Sequence, residues 1–139
     1  MNLSRLKKQL KRHEGFRKHP YKDTEGISTV GYGRNLDAVG ISRAEARVLL
    51  ENDIATAEAE CFKRLPFFQD LDDIRQGVMV NMMFNLGWGK LKGFKLMLAA
   101  LEDGDFELAA AEALDSRWHR QVKGRAVELE EQMKKGVTE

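Results

Sequence analysis

Three residues near the N-terminus have the types and spacing to do chemistry together: Glu14, Asp23 and Thr29. Glu14 lies four positions after Leu10 and eight after Leu6, so on a helix it projects from the apolar stripe and not from the Lys/Arg face. A carboxyl half-shielded there favours its neutral form, which is what a general acid needs near neutral pH. An acid neutralised by a nearby arginine, or one capping a turn, is the alternative. Asp23 follows nine residues later, and a chain reversal through Gly15 brings it opposite Glu14. Two carboxyls in unlike surroundings are the minimum equipment for glycoside hydrolysis, one protonating the leaving oxygen while the other stabilises positive charge on the sugar or orients water. Asp in D-T-E-G is equally a turn former. Thr29 falls on the same side of a strand as Ile27, with a hydroxyl able to hold a water, although threonine is also simply a good strand residue.

The elements that must position these groups are legible around them. Leu3, Leu6 and Leu10, with Lys and Arg between, predict an amphipathic first helix closed by Gly15. Residues 19–33, HPYKDTEGISTVGYG, predict a β-hairpin turning at D-T-E-G, with a third short strand near Asn35 and Leu36. S-R-A-E at Ser42–Glu45 is a capping box, opening a helix from about Arg43 to Lys63 that stops before Pro66. The Asp72-Asp73 pair starts a central helix whose run Val78, Met79, Val80, Met82, Met83 and Phe84 reads as core, ending at Gly87-Trp88-Gly89. Further helices are expected over Leu91–Glu102, Phe106–Leu114 and Gly124–Lys135. The fold class is α+β, a single domain of 139 residues: a small β lobe over about 16–41, a connecting helix over about 42–63, and a helical lobe of 1–15 and 64–139, with a cleft expected between the lobes.

Composition narrows the class. Apolar residues are 42% and charged residues 32%, globular usage that excludes a disordered or fibrous chain. The net charge of +1 hides eight Lys or Arg against one acid, Glu14, in residues 1–22, and a second basic cluster at Arg117, Arg120, Lys123 and Arg125. Such patches suit an anionic polymer, or are solvated helix faces. Cys61 is the only cysteine, so no internal disulfide forms. The N-terminus lacks a signal-peptide apolar core, and no segment approaches the roughly 20 apolar residues of a membrane span. Synthesis in a bacterial cytoplasm, without stable membrane insertion, is the expectation. His13, His19, His119 and Cys61 have no metal-ligand spacing and no phosphate-binding loop precedes a helix, so neither metal nor cofactor is expected.

The string E-G-F-R-K-H-P-Y-K-D-T-E-G-I-S-T-V-G-Y-G, Glu14 to Gly33, closely resembles the phage T4-type lysozyme family, whose pattern is E-G-x-R…Y-x-D-x-x-G-x-x-T-x-G-x-G. The similarity continues through G-I-S-R-A-E-A, N-M-M-F-N-L-G at Asn81 to Gly87, Gly93-Phe94, and S-R-W-H-R-Q-V-K-G-R-A at Ser116 to Ala126. The resemblance implies an N-acetylmuramidase, an endolysin cutting the β-1,4 bond after N-acetylmuramic acid in peptidoglycan. Glu14 is then the general acid, Asp23 the second carboxylate and Thr29 the holder of the attacking water in an inverting hydrolysis. It also puts Asn85 in the cleft and pairs Arg125 with the catalytic Glu; Asn81 and Phe94 are the other candidate substrate-binding positions. Asn81 and Asn85 share a helix face and could bond N-acetyl groups, or be satisfied core amides. Trp118 could stack on a sugar or anchor a helix.

Two departures stand out. Where the best-known member has a histidine after the last glycine of the motif, this chain has Arg34, so that histidine's salt bridge to an acid should be absent or replaced. The segment from Gly33 to Gly40 is also much shorter, which trims the small lobe. Glycan strands are the expected partner, a holin is one route of export, and a monomer is the default. A lytic transglycosylase or a chitin-type hydrolase would use the same acid. A non-catalytic wall-binding or nucleic-acid module is the remaining class, but no DNA-reading motif supports it and no nucleic acid is expected.

Overall fold

In a computed structural model, residues 1–114 and 123–136 are described. They cluster into two compact units, Met1–Leu49 and Leu50–Glu139. The first helix, α1 (Leu3–Glu14), starts at Asn2, whose Oδ1 accepts the Arg5 N–H at 2.9 Å. It ends at Gly15, which takes φ +71° and donates its N–H to the Lys11 carbonyl, a conformation that costs glycine little. Lys11, Arg12 and His13 in the last turn complement the negative end of the helix.

The sheet of the first unit is antiparallel, in the order β1 (Arg17–Lys22), β2 (Ser28–Gly31), β3 (Arg34–Asn35). Pro20 cannot donate to a ladder, and it sits in β1 at the sheet edge, where that loss is tolerated. Tyr21 pairs with Thr29 and Lys22 with Ser28, and the register shifts between Arg17 and Tyr21. β2 pairs with β3 through Thr29 and Asn35, and through Val30 and Arg34. The short return to the next helix is stitched to the sheet: Leu36 N–H donates to the Ser28 carbonyl and Ser28 N–H to Asp37 Oδ2.

α2 (Arg43–Arg64) opens with the expected capping box, Glu45 N–H donating to Ser42 Oγ at 3.1 Å and Ser42 N–H to Glu45 Oε1 at 2.8 Å. A single 3₁₀ turn, Phe68–Asp70, follows. Then come α3 (Asp73–Leu91), α4 (Lys95–Glu102), α5 (Phe106–Leu114) and α6 (Lys123–Lys135). The architecture is α+β and lysozyme-like.

The core of the second unit collects Cys61, Phe68, Val78, Met79, Met82, Met83, Leu91, Met97, Leu101, Leu129 and Met133. Unbranched methionines fill the irregular space between helices, while Ala109, Ala110 and Ala113 bury the small face of α5 against its neighbours α4 and α6. Arg75 closes the end of α6. Its guanidinium donates to the Met133 carbonyl at 2.6 Å and the Lys134 carbonyl at 2.9 Å, pairs with Asp72 at 2.9 Å and lies 3.5 Å from the Phe106 ring centroid. Carbonyls that no helical N–H can reach are thereby satisfied.

The sequence reading needs three corrections. Phe84, expected in the core, is 43% exposed, because it faces away from the side of α3 that buries Val78, Met79, Met82 and Met83. The central helix breaks at Gly87 as expected, with φ +73°, but one further helical turn runs on to Leu91, so the next helix, α4, begins at Lys95 and not at Leu91. Val80 is half-buried, packed against the core without being part of it.

Candidate active site

Asp23 and Thr29 are brought together through one residue. Asp23 Oδ1 accepts the N–H groups of Glu25 at 2.8 Å and Ile27 at 2.9 Å, while Thr29 Oγ1 donates to the Ile27 carbonyl at 3.0 Å. Asp23 is therefore the turn former that D-T-E-G suggests. One carboxyl oxygen builds the D-T-E-G turn, and Oδ2 makes no hydrogen bond among the described residues. Thr29 is buried, and its donor is spent on the backbone, so towards any further group its oxygen is an acceptor.

Glu14 is the last residue of α1, and its carboxyl lies against the backbone of Gly33 in the turn between β2 and β3. A Cβ on Gly33 would stand 2.8 Å from Glu14 Oε2 and 3.0 Å from its Cδ, so only glycine admits this approach. Glu14 is exposed, contrary to the half-shielded position its spacing suggests, because α1 buries none of its residues. Beside it, the rings of Phe16 and Tyr32 meet at 5.6 Å, with the Lys11 ammonium 5.5 Å from the Tyr32 ring centroid.

The place taken by histidine in the family's best-known member is filled by a different ion pair. Arg34 Nη1 donates to Glu45 Oε1 at 2.9 Å and to the Gly40 carbonyl at 2.9 Å, and Nη2 bonds Glu45 Oε2. Hydrogen bonds from Arg34, then from Ser42, hold the Glu45 carboxyl down at about 2. A depressed carboxyl contributes stability that is complete above its ordinary value of 4.5 and lost as pH falls towards about 2. In a pH series of urea midpoints, wild type should therefore lose more stability than Glu45→Gln across that window. Equal slopes would mean that the pair adds nothing to folding.

In the second unit, Leu50, Ile54, Gly77, Val80, Asn81, Phe84 and Arg125 line an open groove of about 310 Å³. Arg125 binds Asn81, with Nε 2.8 Å and Nη2 2.6 Å from Asn81 Oδ1. The Asn81 Oδ1 is thus an occupied acceptor, and Asn85 lies on the exposed surface of α3. Phe94 caps α4 from a half-buried position and packs against the core. Trp118, Arg117, Arg120 and His119 lie outside the described residues. Burial, with the nearby charges of Glu58 and Glu60, pushes the Cys61 thiol up to about 12, which disqualifies it as a nucleophile. Among the described residues no cluster of three or more His, Cys, Asp or Glu side chains is placed to hold a metal. No helix among them is long and apolar enough to cross a membrane.

Spacing did not reveal the contact of Gly33 with Glu14, nor Glu45 as the partner of Arg34. The one available signal, Glu at the third position of a capping box, accounts for only one of Glu45's partners.

A lysozyme-like α+β fold defines a class, and comparison with known proteins supplies the family. Residues 11–135 match the phage lysozyme model, and the chain belongs to the phage lysozyme family. It is 32% identical to the pre-baseplate central spike protein Gp5 of Enterobacteria phage T4, over 90% of this chain but only 26% of that protein. It is 30% identical to the probable T4-type lysozyme 1 of Dictyostelium discoideum, over 89% of this chain and 90% of that one. With the SAR-endolysin of bacteriophage PS119 it shares 28% identity over 68% of this chain and 57% of that one.

Proposed function

We propose that this protein is a peptidoglycan hydrolase, an N-acetylmuramidase that cuts the β-1,4 bond between N-acetylmuramic acid and N-acetylglucosamine with inversion, both units acting as one catalytic domain. Glu14 protonates the leaving oxygen, Asp23 is the second carboxylate through its unbonded Oδ2, and Thr29 accepts a hydrogen bond from the attacking water. The observation that carries this reading is the hairpin itself: Asp23 and Thr29 are both anchored on Ile27, and the Glu14 carboxyl rests on Gly33 of the next turn. Asn85 contributes an exposed amide to the glycan, with the bonded pair Asn81 and Arg125 and the packed Phe94 shaping that surface. The basic, exposed face of α1 holds the enzyme on an anionic wall. Made in a bacterial cytoplasm, the protein reaches the wall as an endolysin does, with a holin as one route, and it works as a monomer.

The test is product analysis on purified peptidoglycan. New reducing ends at N-acetylmuramic acid, first formed with inverted anomeric configuration by NMR, are the expected result. Fragments ending in 1,6-anhydro sugars would make it a transglycosylase instead, and cleavage of chitin alone would change the substrate. Asp23→Asn separates structure from chemistry, since an asparagine Oδ1 still accepts the Glu25 and Ile27 N–H groups. It should fold normally and lose activity about 100-fold or more.

A further inference from the structure

Glu14 is exposed, and its carboxyl lies against the backbone of Gly33. Gly33 is held at φ +78°, a conformation that L side chains rarely adopt, and the residue that follows it is Arg34. Arg34 spans three parts of the first unit. Its backbone pairs with Val30 on β2, Nη1 reaches the Gly40 carbonyl, and both Nη atoms grip the Glu45 carboxylate at the start of α2. Glu45 is held in turn by the Ser42 N–H at 2.8 Å. A continuous series of bonds therefore leads from the capped end of α2, through a planar two-pronged ion pair, to the turn on which the Glu14 carboxyl rests.

We infer that Arg34 and Glu45 are positioning residues for Glu14: their ion pair fixes the Gly33 backbone and so sets the direction in which the carboxyl presents its proton. The inference rests on the proposed role of Glu14 as general acid. A two-pronged guanidinium–carboxylate contact fixes an angle as well as a distance, which a lysine cannot do. Misplacing a catalytic group by about 1 Å can lower its rate about 100-fold, and such a loss falls on turnover, not on ground-state binding.

The experiment compares kcat and KM on soluble, uncrosslinked peptidoglycan strands for wild type, Arg34→Lys, Arg34→Gln, Glu45→Gln and the double variant Arg34→Gln/Glu45→Gln. Each is measured well below its own melting temperature, with the folded fraction checked by near-ultraviolet circular dichroism. The expected result is a fall in kcat of about 10- to 100-fold for either glutamine variant with KM within about twofold. Arg34→Lys should recover part of that loss, and the double variant should be no worse than either single one, because both remove the same contact. Gly33→Ala should reproduce the kcat defect directly, since its methyl group must displace the Glu14 carboxyl. If kcat per folded molecule is unchanged in Arg34→Gln while wild type is active, the pair only braces the loop and the inference is overturned. A folded wild type that releases no reducing ends would overturn the reading of Glu14 itself, and the positioning role with it.

Discussion

Glu14→Gln is expected to lower kcat on peptidoglycan by about 1,000-fold or more while leaving the fold and KM nearly unchanged. Positioned general acids contribute roughly 100- to 10,000-fold, and glutamine has almost the shape of the acid but no proton to transfer to a leaving oxygen. The fold should not register the change. Glu14 is exposed at the end of α1, the cap of that helix is made by Gly15 and Lys11, and the amide can rest on Gly33 as the carboxyl does. Reducing-end release, measured beside a thermal melt, checks both halves. More than a tenth of wild-type turnover in a folded Glu14→Gln protein would remove Glu14 from the mechanism, whatever the fate of Asp23 and Thr29.

Phe68→Ala should produce the largest loss of stability, about 3–5 kcal/mol. The ring is 2% exposed and meets Phe62 edge-on at 4.8 Å between centroids, in the same core as Met79, Met82 and Leu91. Its backbone is held independently: Phe68 N–H donates to the Leu65 carbonyl, and its own carbonyl accepts from Gln76 Nε2 at 3.1 Å. Truncation therefore leaves a cavity that the 3₁₀ turn cannot readily collapse to fill. Against a domain stability of about 5–15 kcal/mol, that loss would be roughly a fifth or more of the total and would lower the melting temperature by roughly 10 °C or more. Phe62→Ala, whose ring is 53% exposed, is the control and should lose markedly less. A urea midpoint for Phe68→Ala within 1 kcal/mol of wild type at unchanged slope would show that the site repacks.

The two substitutions differ because they probe different levels of organisation. Glu14 is a surface group whose value lies in its direction, so its removal is silent in stability. Phe68 touches no reacting group, and its removal affects activity only through the population of folded molecules.

Much of the scaffold was legible in the residues alone because it depends on neighbours in sequence. The Ser42/Glu45 box, the Asp72 cap, the Gly15 stop and the D-T-E-G turn each close hydrogen bonds within four residues, and each appears as expected. The type and spacing of Glu14, Asp23 and Thr29 were likewise written in one short stretch. Apolar periodicity located α3 but not its buried side in full, and Phe84 was misplaced because hydrophobicity does not say which face a neighbour will cover.

What only the tertiary structure decided are the contacts between residues distant in sequence. Gly33 meets Glu14 across nineteen positions, Arg34 meets Glu45 across eleven, Arg125 meets Asn81 across forty-four, and Arg75 reaches Met133 across fifty-eight. The exposure of Glu14 belongs here as well. A carboxyl's surroundings are made by whatever chain packs near it, whereas its capacity to carry a proton is a property of the residue; the second was present in the sequence, and the first had to wait for the fold.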